Sequence, residues 1–244
     1  GRIPAGLAVT TFPVREAHGL VWLWWGDPGK ATDTLPYFAE LGEGWHYHTI
    51  TVDWPVHYTR AIENQLDSAH LPFVHRTTIG SSRRTVIEGP HVESSEAGIR
   101  VWVASRRDDG EPRSATELAA AAASTAPGLQ LLFPGVWMLD LGPRLKNFIA
   151  FVPINESTTR YYLRTYHRIG IRLLAWPFER LMGLSSRYIL GQDKCVVITQ
   201  TPASSLDATE DRHIAADRAI VLYRKWHARA VHRAAPVRTD PDNG

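Results

Sequence analysis

The run Glu63-Asn64-Gln65-Leu66-Asp67-Ser68-Ala69-His70-Leu71-Pro72-Phe73-Val74-His75 constrains this chain more than any other stretch. Just upstream, residues 45–53 alternate in the period-two pattern of a strand rich in β-branched residues. From Val56 the period lengthens. Tyr58, Ile62, Leu66 and Ala69 recur at three to four residues, which predicts an amphipathic helix, and Pro55 suits its first position. Glu63, Asp67 and His70 form the opposite, polar stripe. Pro72 lacks a backbone donor and crowds the turn before it, so the helix is expected to kink or end there.

That interruption matters for the two imidazoles. On an unbroken helix, positions five apart are separated by about 7.5 Å along the axis and roughly 140° around it, and their side chains do not converge. A break at Pro72 lets the chain swing His75 back toward His70. Two His plus one carboxylate from elsewhere suit a mononuclear non-haem iron, because they hold one face of the metal and leave the other open. Asp67, three residues before His70, has three readings: a ligand, an acceptor that orients an imidazole, or a solvated charge. Asn64 lies one turn further back, beside the same site or simply satisfied by backbone.

A third ligand has to come from a distant segment. The run Tyr188-Ile189-Leu190-Gly191-Gln192-Asp193-Lys194-Cys195-Val196-Val197-Ile198 sets one acid in an apolar helix. A lone acid on such a face needs a partner, since an unpaired buried charge is costly. A metal is one possible partner; Lys194 and Arg187 are others. Asp193 is the best candidate among the acids. Cys195 reads as a small buried residue rather than a ligand. His46 and His48 alternate on the 45–53 strand and read as packing or surface residues.

Cys195 is the single cysteine, so the chain cannot hold an iron–sulfur cluster of its own, builds no disulfide framework and fits a reducing, cytoplasmic compartment. A formal charge of +2 argues against a nucleic-acid partner. The basic cluster from Arg224 to Arg238 reads as a solvated terminal helix. No apolar run approaches the roughly 18 residues of a membrane span. The opening Gly1-Arg2-Ile3-Pro4 lacks the apolar segment of a secretory signal, and a chain starting on Gly in mid-pattern reads as part of something longer. There is no Gly-rich phosphate loop, nucleophile elbow or CxxC pair.

The rest of the pattern predicts an α+β layout. Strands are expected at 7–15 and 20–25 as a hairpin, then at 84–88, 98–106, 129–133, 136–140, 147–153 and 158–167. A linker occupies 26–44. Ser114-Ala115-Thr116-Glu117 is a capping box opening an Ala-rich helix. Helices are expected at 171–182, 185–199 and 207–232. A curved antiparallel sheet gripping a long helix would leave a cavity suited to an apolar ligand.

The 63–75 run resembles the iron-site motif of Rieske non-haem iron oxygenases, with the nearer likeness to the group around vanillate O-demethylase, dicamba monooxygenase and pheophorbide a oxygenase. Gln192-Asp193-Lys194 with Val196-Val197 is similar to that group's third-ligand segment. Ala216-Asp217-Arg218-Ala219-Ile220-Val221-Leu222-Tyr223-Arg224 and the strand Gly19–Trp25 with Gly26-Asp27-Pro28 are also similar. The resemblance implies a helix-grip (START/Bet v1-like) fold in which His70, His75 and Asp193 hold Fe(II). It implies that Asp67 is the bridge for electrons from a neighbouring subunit's Rieske cluster and that Asn64 stands beside the iron. It further implies a trimer fed by a ferredoxin or flavin reductase, acting with O2 on an aromatic or other apolar small molecule. The family's Cys-x-His and Cys-x-x-His pairs, which hold its 2Fe–2S cluster, are not in this sequence. On that basis residues 1–30 read as the end of a Rieske domain, 31–44 as a linker and 45–244 as the catalytic domain. The competing expectations are a helix-grip module that carries a hydrophobic ligand without redox chemistry, and Zn2+-dependent hydrolysis at the same three residues.

Overall fold

A computed structural model describes residues 11–80, 83–111 and 114–234. It is built on a seven-stranded antiparallel sheet. The strands are β3 (His46–Trp54), β4 (Val86–Ser94), β5 (Gly98–Arg106), β6 (Leu129–Leu132), β7 (Val136–Asp140), β8 (Leu145–Asn155) and β9 (Thr158–His167), in the spatial order β3-β9-β8-β7-β6-β5-β4. A separate hairpin, β1 (Val14–Ala17) and β2 (Leu20–Leu23), precedes it. His18 and Gly19 form the hairpin's two-residue turn, with φ values of 56° and 65°, the left-handed pair that matches the strands' twist. The expected strand over 7–15 lies partly outside the described residues, as do residues 1–10 of the expected Rieske remnant.

The central strands read as nearly continuous apolar runs because both faces of the sheet are covered. Alternation sorts their side chains between two cores. Trp137, Ile149, Phe151, Tyr161 and Leu163 face one side. Val136, Met138, Phe148, Ala150 and Tyr166 face the other. The first face carries three helices: α1 (Tyr58–Leu66) through Ile62 and Leu66, α4 (Arg172–Val197) through Leu190 and Val197, and α5 (Arg218–Ala234) through Ala219 and Tyr223. Phe38 and Leu41 of the 31–44 segment close the second face, with Leu20 and Trp22 of the hairpin packed against it. Arg164 ties the hairpin turn to the sheet by donating to the carbonyls of His18 (2.5 Å) and Gly19 (2.7 Å).

Several expectations shift. The two helices expected at 171–182 and 185–199 are one, α4. Gly183 does not interrupt it; a Cβ there would stand 3.2 Å from His48 Nε2, so the missing side chain lets α4 lie close to β3. The helix expected from 207 starts at Arg218, because residues 205–217 form two short turns, Ser205–Asp207 and Ala215–Asp217. β4 runs past Gly89-Pro90 by a register shift between Glu88 and His91, the bulge that a residue without an N–H favours. The Ala-rich helix α3 (Ala115–Ala123) opens on the expected capping box of Ser114 and Glu117. No helix among the described residues is long and apolar enough to cross a membrane.

Candidate metal centre

The helix that leads to the site ends earlier than Pro72 would require. α1 stops at Leu66, and Asp67 is already extended, with φ −75° and ψ 114°. The Asp67 carboxylate accepts the Ala69 amide at 2.7 Å, a local bond that competes with helix continuation. Pro72 instead sits in the first turn of a second, four-residue helix, α2 (Leu71–Val74), where a missing N–H costs nothing. His70 precedes α2 and His75 follows it. Pro55 likewise lies before the helix, whose N-cap is His57 accepting the Thr59 amide.

With the chain broken between Asp67 and His70, the imidazoles converge. One ligand atom each from His70, His75 and Asp193 lie within 4.8 Å of one another. Asp193 Oδ1 is 2.8 Å from His75 Nε2 and 3.3 Å from His70 Nε2. It is nevertheless a buried oxygen with no aligned hydrogen bond. A buried carboxylate oxygen facing two ring nitrogens fits a shared cation. Two nitrogens and one oxygen are donors that suit a borderline first-row metal. Burial of Asp193 works against its charge, but His70 and His75 outweigh it and hold the carboxyl below its ordinary value.

Neighbouring groups set the rings. Gln192 Oε1 lies 3.0 Å from His75 Nδ1 and also accepts the Thr78 hydroxyl at 2.9 Å. An amide oxygen only accepts, so Nδ1 carries the proton and Nε2 is free toward Asp193. Sequence reading did not single out Gln192, although its place next to Asp193 puts it on the same turn of α4. Asp67 Oδ2 is 3.5 Å from His70 Nδ1, which makes it a neighbour of the imidazole on the side away from Asp193.

Asp67 and His70 line a cleft of about 380 Å³ together with Asn64, Arg60, Glu63, His213 and Arg224. Asn64 Nδ2 is buried there without a partner. Charged and polar side chains predominate, with Val74, Val196, Val197 and Ile220 as an apolar part of the wall, so the opening is mixed where an apolar cavity was expected. A second opening, of about 520 Å³, lies between the sheet and α5 and is lined by Ser94, Phe133, Leu222 and Trp226. Cys195 is exposed, not buried, because it sits on the outer face of α4. Arg224 is not a solvated tail residue: it donates to Glu63 at 2.7 and 2.9 Å. His227, from the same cluster, is 6% exposed and 2.5 Å from the Tyr58 hydroxyl. Residues 235–238 of that cluster lie outside the described residues.

A family model for the vanillate O-demethylase oxygenase C-terminal domain matches residues 54–233. Over 228 residues the chain is 27% identical to chlorophyllide a oxygenase, chloroplastic, of Chlamydomonas reinhardtii, a match covering 90% of this chain and 34% of that protein. It is 26% identical over 235 residues to a probable methylxanthine N7-demethylase, NdmC, of Pseudomonas sp. (strain TJI-51), covering 93% and 80%. The structure of Pseudomonas putida CBB5 NdmA with caffeine aligns at TM-score 0.69 and 19% identity, over 96% of this chain and 66% of that one. This last likeness is one of fold. The chain spans about a third of the length of chlorophyllide a oxygenase.

Proposed function

This chain belongs to the family of the vanillate O-demethylase oxygenase C-terminal domain, and from that premise we propose that it is the catalytic part of a Rieske-type oxygenase. Its substrate class is an aromatic or other apolar small molecule. The observation that carries the reading is the convergence of His70, His75 and Asp193 on one buried, unbonded carboxylate oxygen.

These three side chains would hold Fe(II). When bound, such an iron supplies O2 activation for hydroxylating a C–H bond, with formaldehyde lost where that carbon is an O- or N-methyl group. The protein's own contribution is positional. Gln192 keeps the His75 proton on Nδ1, so that Nε2 stays available. Asp67 touches His70 on the cleft side and would carry electrons inward from a neighbouring subunit's 2Fe–2S cluster. Asn64 presents an unpaired amide N–H group beside it. The burial of His75 and Asp193, at 1% and 3% exposure, excludes water from two of the three ligands. A cluster-bearing segment, a trimeric assembly and a ferredoxin or flavin reductase belong to the same proposal.

The test is metal content and Fe(II) affinity of the anaerobically reconstituted chain beside a His70→Ala, His75→Ala double variant. About one iron per chain, lost in the variant, is the expected result for a three-ligand site. A well-folded wild-type chain with no specific iron overturns the reading and favours a ligand carrier without redox chemistry.

A further inference from the structure

One helical turn before the break at Asp67 lies a group of four charges that the metal site itself does not use. Glu63 and Arg60, on α1, are each only 4% exposed. Arg224 of α5 reaches both carboxylate oxygens of Glu63 at 2.7 and 2.9 Å. Arg60 approaches Glu63 at 3.3 Å. Both arginines also share Asp211, at 2.7 and 3.0 Å. The spare donors of Arg60 go to the Pro202 carbonyl at 3.0 and 3.3 Å. Two cations and two anions balance, and α1, α5 and the 199–214 segment meet at this one point.

A buried ion group of this kind adds little net stability over an apolar one, but removing one member leaves its partner's charge buried and uncompensated. Here it lies at the end of α1. The Glu63 carbonyl accepts the Asp67 amide at 3.0 Å, the last helical bond before the chain turns to deliver Asp67 and His70. Nothing else from α5 reaches that end of α1 by a charged bond among the described residues. We propose that Glu63 is a positioning residue: clamped by Arg224, Arg60 and Asp211, it sets where α1 ends and hence where Asp67 and His70 stand. The inference rests on the metal-site reading for its consequence, but not for its geometry.

The clamp is tested with a Glu63→Gln/Arg224→Met double variant, which removes one charge of each sign and leaves Arg60 paired with Asp211. Two readouts are taken. In the metal-free chain, hydrogen exchange of the Asp67 and Ala69 amides reports the turn directly. In the loaded chain, Co2+ affinity and its visible ligand-field spectrum report the site. The expected result is faster exchange at both amides, Co2+ binding weakened by about tenfold, and a shifted spectrum, in line with losing a supporting group behind metal ligands. A Leu129→Ala variant, in the core away from the site, serves as the comparison and is expected to keep the wild-type spectrum. Wild-type exchange at Asp67 and Ala69 in the double variant overturns the proposal. If wild-type protein takes up no Co2+, the metal reading fails and the exchange data alone decide the clamp. Should the double variant not fold, Arg224→Lys, which keeps the charge but loses the two-pronged contact, is judged by the same readouts.

Discussion

Gln192 Oε1 and His75 Nδ1 meet at 3.0 Å across 117 residues of sequence. The neighbour of one metal-ligand candidate thus orients another. Gln192→Ala removes the acceptor and frees the ring to rotate or change tautomer. Fe(II) or Co2+ affinity is expected to fall by about 10- to 100-fold, the usual effect of losing a group that orients a ligating imidazole. The unfolding midpoint should move little, since Gln192 is only half-buried. A metal titration at wild-type affinity would show that His75 is held by packing alone.

Gly80 holds the backbone of the same histidine. Its amide donates to the His75 carbonyl at 2.9 Å. A Cβ at this position would collide with the Leu71 carbonyl oxygen and stand 2.8 Å from that of His75. Both obstacles are backbone, so α2 has to move. Gly80→Ala is expected to cost about 1–3 kcal/mol, as overpacking does, and to weaken metal binding along with it. Denaturant unfolding and a Co2+ titration on one preparation would check both; unchanged values in each would mean the loop absorbs the methyl group freely.

How far the sequence alone reaches can be judged at these positions. The convergence of His70, His75 and Asp193 was legible because a candidate metal set restricts residue type, and each of the three stood out locally. β5 and β9 were legible to the residue because alternation survives wherever one pattern of faces is kept. The helix break was expected at Pro72 but occurs at Asp67, since a side chain bonding its own backbone competes with the helix without leaving a compositional mark. The stripe containing Glu63 read only as polar, with no sign that Glu63 is buried. Its burial depends on Arg224, some 160 residues away, and local periodicity carries no information about such a partner. The gap expected near Gly183 failed for a similar reason: a glycine that breaks a lone helix can also let it pack closely against a strand.

Trp137 links the sheet to α1. Its indole N–H donates to the Gln65 carbonyl at 3.0 Å, one of the carbonyls that the end of the helix leaves without an internal partner. Trp137→Phe keeps an aromatic ring but strands that carbonyl. A loss of about 1–2 kcal/mol is expected from thermal or urea unfolding, the cost of a part-buried acceptor left without its donor. No change would mean that water satisfies Gln65 as well as the indole does.

Proton linkage gives the sharpest check on His70. In the metal-free chain, burial disfavours its charged form, but Asp193 and Asp67 outweigh burial and push the imidazole up from 6.5 to about 9. A group whose folded value lies above its unfolded one stabilises the fold fully below the unfolded value, and that contribution is lost as pH rises through the folded value. The metal-free chain is therefore expected to lose stability between about pH 6.5 and 9 from this residue. Metal binding needs the neutral ring, so at neutral pH it must displace the proton. Affinity for Fe(II) under anaerobic conditions should rise by up to about tenfold per pH unit over that window and then level off. The two trends have opposite signs and one cause, so His70→Ala should flatten both. A pH-independent affinity in the wild-type chain would mean that His70 is already neutral when the metal arrives, and that the carboxylates of Asp67 and Asp193 do not hold its proton.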